Sequence, residues 1–422
     1  MCSSDRTGMT IEAQGTVYLT NSFSSLVRKI SSGTLTTIAG NGNFAYTGDG
    51  GPALSASLFI GSSGVSGTAV DSAGNVYFSD SFNNVVRRIT PAGIITTFAG
   101  NGVGAGTGIG GFSGDNGQAT SAQLGNPGDL AMDASGNLYI CDPDNNRVRK
   151  VTPGGLITTF AGNGNATFSG DNGQATSAGL PSPGGIAVDA QGNVYISSSR
   201  RVRKVAPNGI ITTIAGTGTA GFSGDGGPAL SATFRAPIGL GVDQFGNVYV
   251  ADNSNGRVRK IDAAGIITTY AGIDGTASTP LGDGGPATSA YLGNVGDLMV
   301  DSTGNVYVSM VGATGRIRKI APAGAGLLAT PSSLSFSATS GGASPAAQTL
   351  SITSSGAALG FTASATSTGN WLSVTPLSGN TPATLTVSVN SAGLGAGSYN
   401  GTITLTPTTS GNSAAVVNVT LT

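Results

Sequence analysis

The side chains that could do chemistry in this chain are mostly aspartates set in repeated phrases. Gly-Asp-Gly/Asn-Gly recurs at Asp49, Asp115, Asp171, Asp225 and Asp283, and Asp-x-x-Gly-Asn at Asp71, Asp133, Asp189, Asp243 and Asp301. A third series comprises Asp80–Asn84, Asp142–Asn146 and Asp252–Asn255. Carboxylates can bind calcium or move protons. A calcium loop, however, needs several oxygens close together, as in Asp-x-Asp-x-Asp-Gly, and each copy here brings one Asp among glycines. The repeated Asp therefore read as turn residues: Asp bonds the backbone two residues on, and Gly supplies positive φ. Histidine is absent and Glu12 is the only glutamate, so the usual general base and the commonest transition-metal ligand are missing. No catalytic residue and no cofactor is assigned; calcium is the one metal this set would suit.

The cations are as regular as the acids. Val27-Arg28-Lys29, Val86-Arg87-Arg88, Val148-Arg149-Lys150, Val202-Arg203-Lys204, Val258-Arg259-Lys260 and Ile317-Arg318-Lys319 hold most of them. A ring of anion-binding groups is one reading. Pairing with nearby carboxylates such as Asp80, Asp142 and Asp252, with the arginine stems covering apolar surface, is the favoured one. A net charge of −1 without basic clusters gives no footing for nucleic acid. No run of about 18 apolar residues is present, so no membrane-inserted helix is expected. The region Met1–Glu12 has no apolar signal core, and Cys2-Ser3-Ser4 has no lipobox before it. Cys2 and Cys141 cannot make a disulfide framework. Cys141 aligns with Ala251 and Ser79, which reads as a small buried residue.

The elements that must position these groups announce themselves by repetition. Gly15-Thr16-Val17-Tyr18 returns as Gly74-Asn75-Val76-Tyr77, Gly136-Asn137-Leu138-Tyr139, Gly192-Asn193-Val194-Tyr195, Gly246-Asn247-Val248-Tyr249 and Gly304-Asn305-Val306-Tyr307. The copies lie about 54–62 residues apart, which marks a repeat architecture. In the copy from Gly184 to Gly216, two apolar runs flank a Gly-Asn turn. Arg201–Val205 then alternates charged and apolar residues, the pattern of a half-buried strand, and Ile210–Gly216 is a β-branched fourth run. Four short strands per repeat describe a propeller blade. The Gly-Asn-Val-Tyr phrase followed by Asn-Gly-Arg-Val-Arg-Lys, as at Asp252 to Lys260, resembles the NHL repeat, over residues 8–320. That resemblance implies a six-bladed all-β propeller. Relatives with this fold include metal-dependent lactonases and lyases, which use His, Glu and a metal, where this chain has no His and the single Glu12, and some NHL propellers bind RNA.

Inserts of about 22–28 residues join the fourth strand of one blade to the first of the next, long enough to be functional or to carry their own structure. Each ends on an apolar residue, Leu58, Leu124, Leu180, Phe234 or Leu292, and Pro52, Pro228 and Pro286 suit the start of a helical turn. Up-and-down connectivity puts these inserts and the Asp/Asn loops on one rim. The candidate rim residues are Asp49, Asp80, Asn84, Asp115, Asp142, Asn146, Asp171, Asp225, Asp252, Asn255 and Asp283. The fourth-strand phrase occurs five times. The sixth copy is either supplied by Gly326–Thr330 or missing, leaving a three-stranded blade. The chain opens almost on its first inner strand, and a longer natural protein upstream is expected.

From Ala321 onward there is no charged residue; all 39 lie before it. Such a break marks a boundary, giving a propeller over 1–326 and a second domain over 327–422. Alternating runs at Leu334–Phe336, Gln348–Ile352, Leu359–Ala363, Trp371–Val374, Thr384–Val389, Gly401–Thr406 and Ala415–Leu421 predict an immunoglobulin-like β-sandwich. Pro331–Phe336, Asn370–Val374 and Gly397–Ile403 resemble the BACON family, which implies association with extracellular carbohydrate. Trp371, the only tryptophan, with Asn370 and Tyr399, is the candidate glycan-stacking set; the competing reading makes Trp371 core. The expectation is a monomeric, secreted, surface or periplasmic bacterial protein. It would bind protein or glycan without catalysis, the sandwich acting as spacer or adhesin. A metal-dependent propeller enzyme is the alternative.

Overall fold

The computed structural model describes residues 8–12, 15–61, 66–274, 281–311, 316–321, 326–354, 358–409 and 414–422. Cys2 and its lipoprotein-like context lie outside them. Two compact units are present, Met1–Ala321 and Pro322–Thr422.

The repeated phrase folds for a local reason. Asp71 Oδ1 accepts the backbone N–H groups of Ala73 and Asn75, while its Oδ2 accepts from Asn75 Nδ2 and the Tyr77 hydroxyl. The same four bonds recur at Asp133, Asp189 and Asp243. Tyr therefore belongs to the motif because its hydroxyl closes the turn on its own sheet. Burial would raise the Asp71 and Asp133 carboxyls, but these donors outweigh it and hold both below the usual range.

In the first unit the described strands form six antiparallel sheets. The third runs Leu130–Met132, Leu138–Asp142, Arg147–Val151 and Leu156–Ala161, and the two-residue strand Gly117–Gln118 is added at its outer edge. Both faces of this third sheet are covered by neighbours. Val151 and Ile157 pack with Tyr77, Val86 and Ala99 of the preceding sheet. Val148 and Ala161 pack with Ile186, Val194 and Ile196 of the following one. The charged third strand is thus not half-exposed, as its alternation suggested. Arg87, Arg149, Arg203 and Arg259 are fully buried.

The inner strands Met9–Ile11, Thr68–Val70, Leu130–Met132, Ile186–Val188, Leu240–Val242 and Leu298–Val300 line one axial cavity of 350 Å³. The Met9 N–H donates to Asp297 Oδ2 at 2.7 Å, so the last sheet meets the first and the all-β ring closes as a propeller. Among the described residues the sixth sheet has three strands, Asn294–Val300, Val306–Val311 and Arg316–Ile320. Leu327–Thr330 does not complete it. That segment pairs with Gln348–Ser354 in the second unit, where Leu327 is buried in the sandwich core. An apolar core partner outweighs its loose likeness to an outer strand.

The second unit stacks two sheets. One orders Leu327–Thr330, Gln348–Ser354, Ala383–Val389 and Leu372–Thr375; the other orders Ser333–Phe336, Ala415–Leu421, Tyr399–Pro407, Gly360–Ser367 and Ser378–Asn380. Alternate residues point into one core, including Leu350, Ile352, Leu385, Val387, Ile403, Leu405 and Val417.

Candidate ligand-binding face

Each insert is tied down by a carboxylate–arginine clasp. Asp115 Oδ1 lies 2.8 Å from Arg149 Nη2, and its Oδ2 accepts from Thr159 Oγ1 at 2.6 Å. Asp49 serves Arg87 and Thr97, Asp171 serves Arg203 and Thr213, and Asp225 serves Arg259 and Thr269. Asp283 pairs with Arg318. The Asp always comes from the insert and the Arg and Thr from the third and fourth strands of the next sheet. These carboxylates are structural ties between repeats, not Asx-turn residues waiting for a cation. An aromatic ring of the insert covers the guanidinium groups: Phe112 lies 3.8 Å from Arg147 and 4.8 Å from Arg149, and Phe168 and Phe222 repeat the arrangement. The clasp is the part that sequence reasoning missed. Its signal was that each Gly-Asp-Gly/Asn-Gly phrase is followed, within one repeat length, by one Arg of the third-strand series.

The apolar residue that ends each insert is buried, at Leu58, Leu124, Leu180, Phe234 and Leu292. Each wedges between consecutive sheets, and burial contributes about 1.5–3 kcal/mol per side chain. A single 3₁₀ turn precedes it, as at Ala53–Ser55, with Pro52 at the cap.

The remaining rim candidates also hold the rim together. Asp80, Asp142 and Asp252 are fully buried. Asp142 Oδ1 accepts the Gly125 N–H at 2.7 Å, and Asp80 Oδ1 the Phe59 N–H at 2.7 Å. Asp252 Oδ1 accepts from Arg235 and Ala236. Burial raises Asp80 and Asp142 to about 6 against the opposing pull of these donors and of the arginines. Asn84 Oδ1 accepts the Asn126 N–H and Asn146 Oδ1 the Ser182 N–H, both at 2.9 Å, each from a neighbouring repeat. Asn255 Nδ2 donates to the Gly221 carbonyl. The rim series is therefore a frame, and what it frames is a depression of 230 Å³. Ser81, Asn126, Pro127, Asp144, Ser182, Pro183 and Ser198 are among its walls. Asp144 is its only ionisable wall residue, and partial burial raises its carboxyl.

Beneath this face lie two carboxylates that the sequence reading passed over. Asp129 and Asp297 are buried and line the axial cavity. They occupy the position held elsewhere by Gly8, Gly67, Gly185 and Gly239, and that break in the glycine series was visible in the sequence. Asp129 accepts from its neighbour Leu130 and from Ile186 of the next sheet; Asp297 accepts from Leu298 and Met9. Burial raises Asp129 to about 7, and burial together with the Asp129 charge drives Asp297 well above the carboxylate range.

In the second unit the glycan-stacking set does not assemble. Trp371 is 3% exposed and sits in the sandwich core, so its ring faces are not available to a sugar. It immediately precedes the strand Leu372–Thr375, whose alternate residues Leu372 and Val374 enter the same core. Asn370 is a turn residue with φ 53°, and the Tyr399 hydroxyl donates to the Gly395 carbonyl.

The Teneurin NHL domain model matches residues 164–222 and 218–281, and the Viral BACON domain model matches residues 326–420. The chain carries NHL repeats followed by a BACON-like region. Over 242 residues the chain is 34% identical to mouse Teneurin-1, covering 51% of this chain and 8% of that protein. The NHL propeller also resembles a Bacteroides thetaiotaomicron protein of unknown function, with TM-score 0.52, 21% identity and coverage of 76% of this chain and 70% of that one. An auxiliary nutrient binding protein from Bacteroides ovatus gives TM-score 0.51 at 13% identity, covering 76% of this chain and 70% of that one. These two likenesses establish the fold alone.

Proposed function

We infer that this is a non-catalytic interaction protein whose propeller rim takes an uncharged polar ligand, a glycan or a protein loop, while the BACON-like unit serves as spacer. The observation that carries this is the depression framed by Asn84 and Asn146. Its walls offer hydroxyl and amide groups, with Asp144 as the one charge. Such a surface recognises by hydrogen bonds and shape rather than by charge. The clasp and loop-tie carboxylates of the rim are engaged, and all four oxygens of Asp129 and Asp297 accept backbone N–H bonds, so Asp144 is the one carboxylate facing the depression. The uncharged, Ser/Thr-rich second unit suits an exported, monomeric protein. No helix among the described residues is long and apolar enough to cross a membrane.

The test is a glycan array and a protein-capture screen on the full chain, repeated with Asp144→Trp, which fills the depression from its wall. Ligand retained by the parent chain and lost by this variant, with an unchanged melting curve, supports the reading. Retention by both places the ligand elsewhere. Metal-dependent lactonase or lyase chemistry is the second reading, favoured only by the axial Asp129–Asp297 pair. Calcium-dependent thermal stabilisation abolished by Asp297→Asn would favour it.

A further inference from the structure

The outer face of the first sheet is built to receive an insert and holds none among the described residues. In the five following sheets an arginine of the third strand meets the Asp of an insert. In four of them a Thr of the fourth strand donates to the same Asp. Arg28 and Thr37 are the counterparts in the first sheet. Arg28 has no carboxylate partner among the described residues. Thr37 is exposed. Leu35 tells the same story. Its counterparts Ile95, Ile157, Ile211 and Ile267 are fully buried, whereas Leu35 is 52% exposed. Gly117–Gln118, Gly173–Gln174 and Gly227–Pro228 pair along the outer edges of their sheets, while Thr34–Leu35 carries no such strand among the described residues.

The vacancy also has a shape. In three of the seated inserts an aromatic ring lies over the residue two before the arginine and over the arginine itself, as Phe168 does over Arg201 and Arg203. In the first sheet a groove of 620 Å³ lies at Leu26, the residue two before Arg28, with Thr37 and Phe44 among its walls. We propose that this face is a docking site for a polypeptide partner segment of the pattern aromatic-Ser-Gly-Asp-Gly/Asn-Gly followed by Ala-x-Ser-Ala-x-Leu. The aromatic ring fills the groove, the Asp pairs with Arg28 and accepts from Thr37, and the backbone beyond it covers Leu35. Three of the five seated inserts, at Phe112, Phe168 and Phe222, supply the template. Each follows a Thr-Thr-x-Ala-Gly outer strand, and the adjoining sixth sheet lacks such a strand among the described residues. A partner carrying both parts would complete the two sheets at once.

The probe is a fluorescent synthetic peptide with the sequence of residues 166–180, titrated into the full chain and followed by anisotropy. Saturable binding is expected. It should weaken about tenfold or more with Asp171→Asn in the peptide, and by a similar factor with Arg28→Ala in the protein, since a charge-assisted pair is lost in each. Phe168→Ala in the peptide should weaken it too. The peptide-side changes leave the protein intact, so they read the contact even if Arg28→Ala lowers stability. Absence of saturable binding up to about 1 mM peptide overturns the proposal. So does binding indifferent to Asp171→Asn, or binding unchanged by Arg28→Ala, which would mean the peptide displaces an insert from another sheet.

Discussion

Asparagine at position 171 isolates the electrostatic part of one clasp. Arg203 is fully buried, and Asp171, 2.8 Å away, is its only carboxylate partner among the described residues. Ser198 stands where the third sheet has Asp142. Arg149, by contrast, faces both Asp115 at 2.8 Å and Asp142 at 3.6 Å. Removing one partner of a buried pair costs about 3–5 kcal/mol when the other charge is stranded. The Asp171 side chain is 34% exposed, so water screens part of that. The expected loss for Asp171→Asn is then about 2–3 kcal/mol. Asp115→Asn leaves Arg149 with Asp142 and should cost about 1 kcal/mol. At roughly 2 cal/mol/K of unfolding entropy per residue, the Met1–Ala321 unit should melt about 3–5 °C lower in the first case and about 1–2 °C lower in the second. Calorimetry reads the shift. Amide exchange at residues 167–179 shows whether the loss is local, as expected where repeats contact only neighbours. Equal losses, or a larger one for Asp115→Asn, would refute the claim that counter-charge to a buried arginine is what seats the inserts.

Other outcomes follow from the same geometry. Asp129 and Asp297 are raised above the ordinary 3.8, Asp129 to about 7, so the folded state holds protons that the unfolded chain gives up earlier. Their contribution is full below about pH 4 and is lost as pH rises through about 7. Asp129→Asn should flatten the decline of Tm across that window, and an unchanged slope would count against the assignment. Trp371→Ala opens a cavity in the sandwich core and should destabilise the second unit by about 3–5 kcal/mol, whereas Trp371→Phe, which removes an indole N–H lacking a partner, should be far milder; denaturant titration distinguishes them. Cys141 is fully buried, with its thiol pushed up first by burial and then by Asp129 and Asp142. In a Cys2→Ser background it should resist a thiol reagent until the protein is unfolded, and rapid labelling of the native chain would show the third sheet to be open there.

The repeat period, the four-strand rhythm and the change of composition after Lys319 were legible because each is a local rule applied many times. The apolar ends of the inserts were legible for the same reason. Less visible was the fate of the charged side chains. The third strand reads as half-exposed because Arg and Val alternate, and only the neighbouring insert, 34 residues earlier in the chain for Asp115 and Arg149, turns that face into an interior. Likewise nothing local to Trp371 distinguishes a sugar platform from a core ring. Asp129 and Asp297 stood out only as exceptions to a glycine series.

Taken alone, the order of residues determined the strands, their turns and the number of times the unit recurs, because hydrogen bonds within a turn and alternation along a strand are settled within a few positions. The three-dimensional arrangement decided which carboxylates are spent on arginines, which polar groups frame a hollow, and which sheet leaves Leu35 exposed. Those are contests between partners far apart in the chain, and burial, which only the folded molecule defines, sets their outcome.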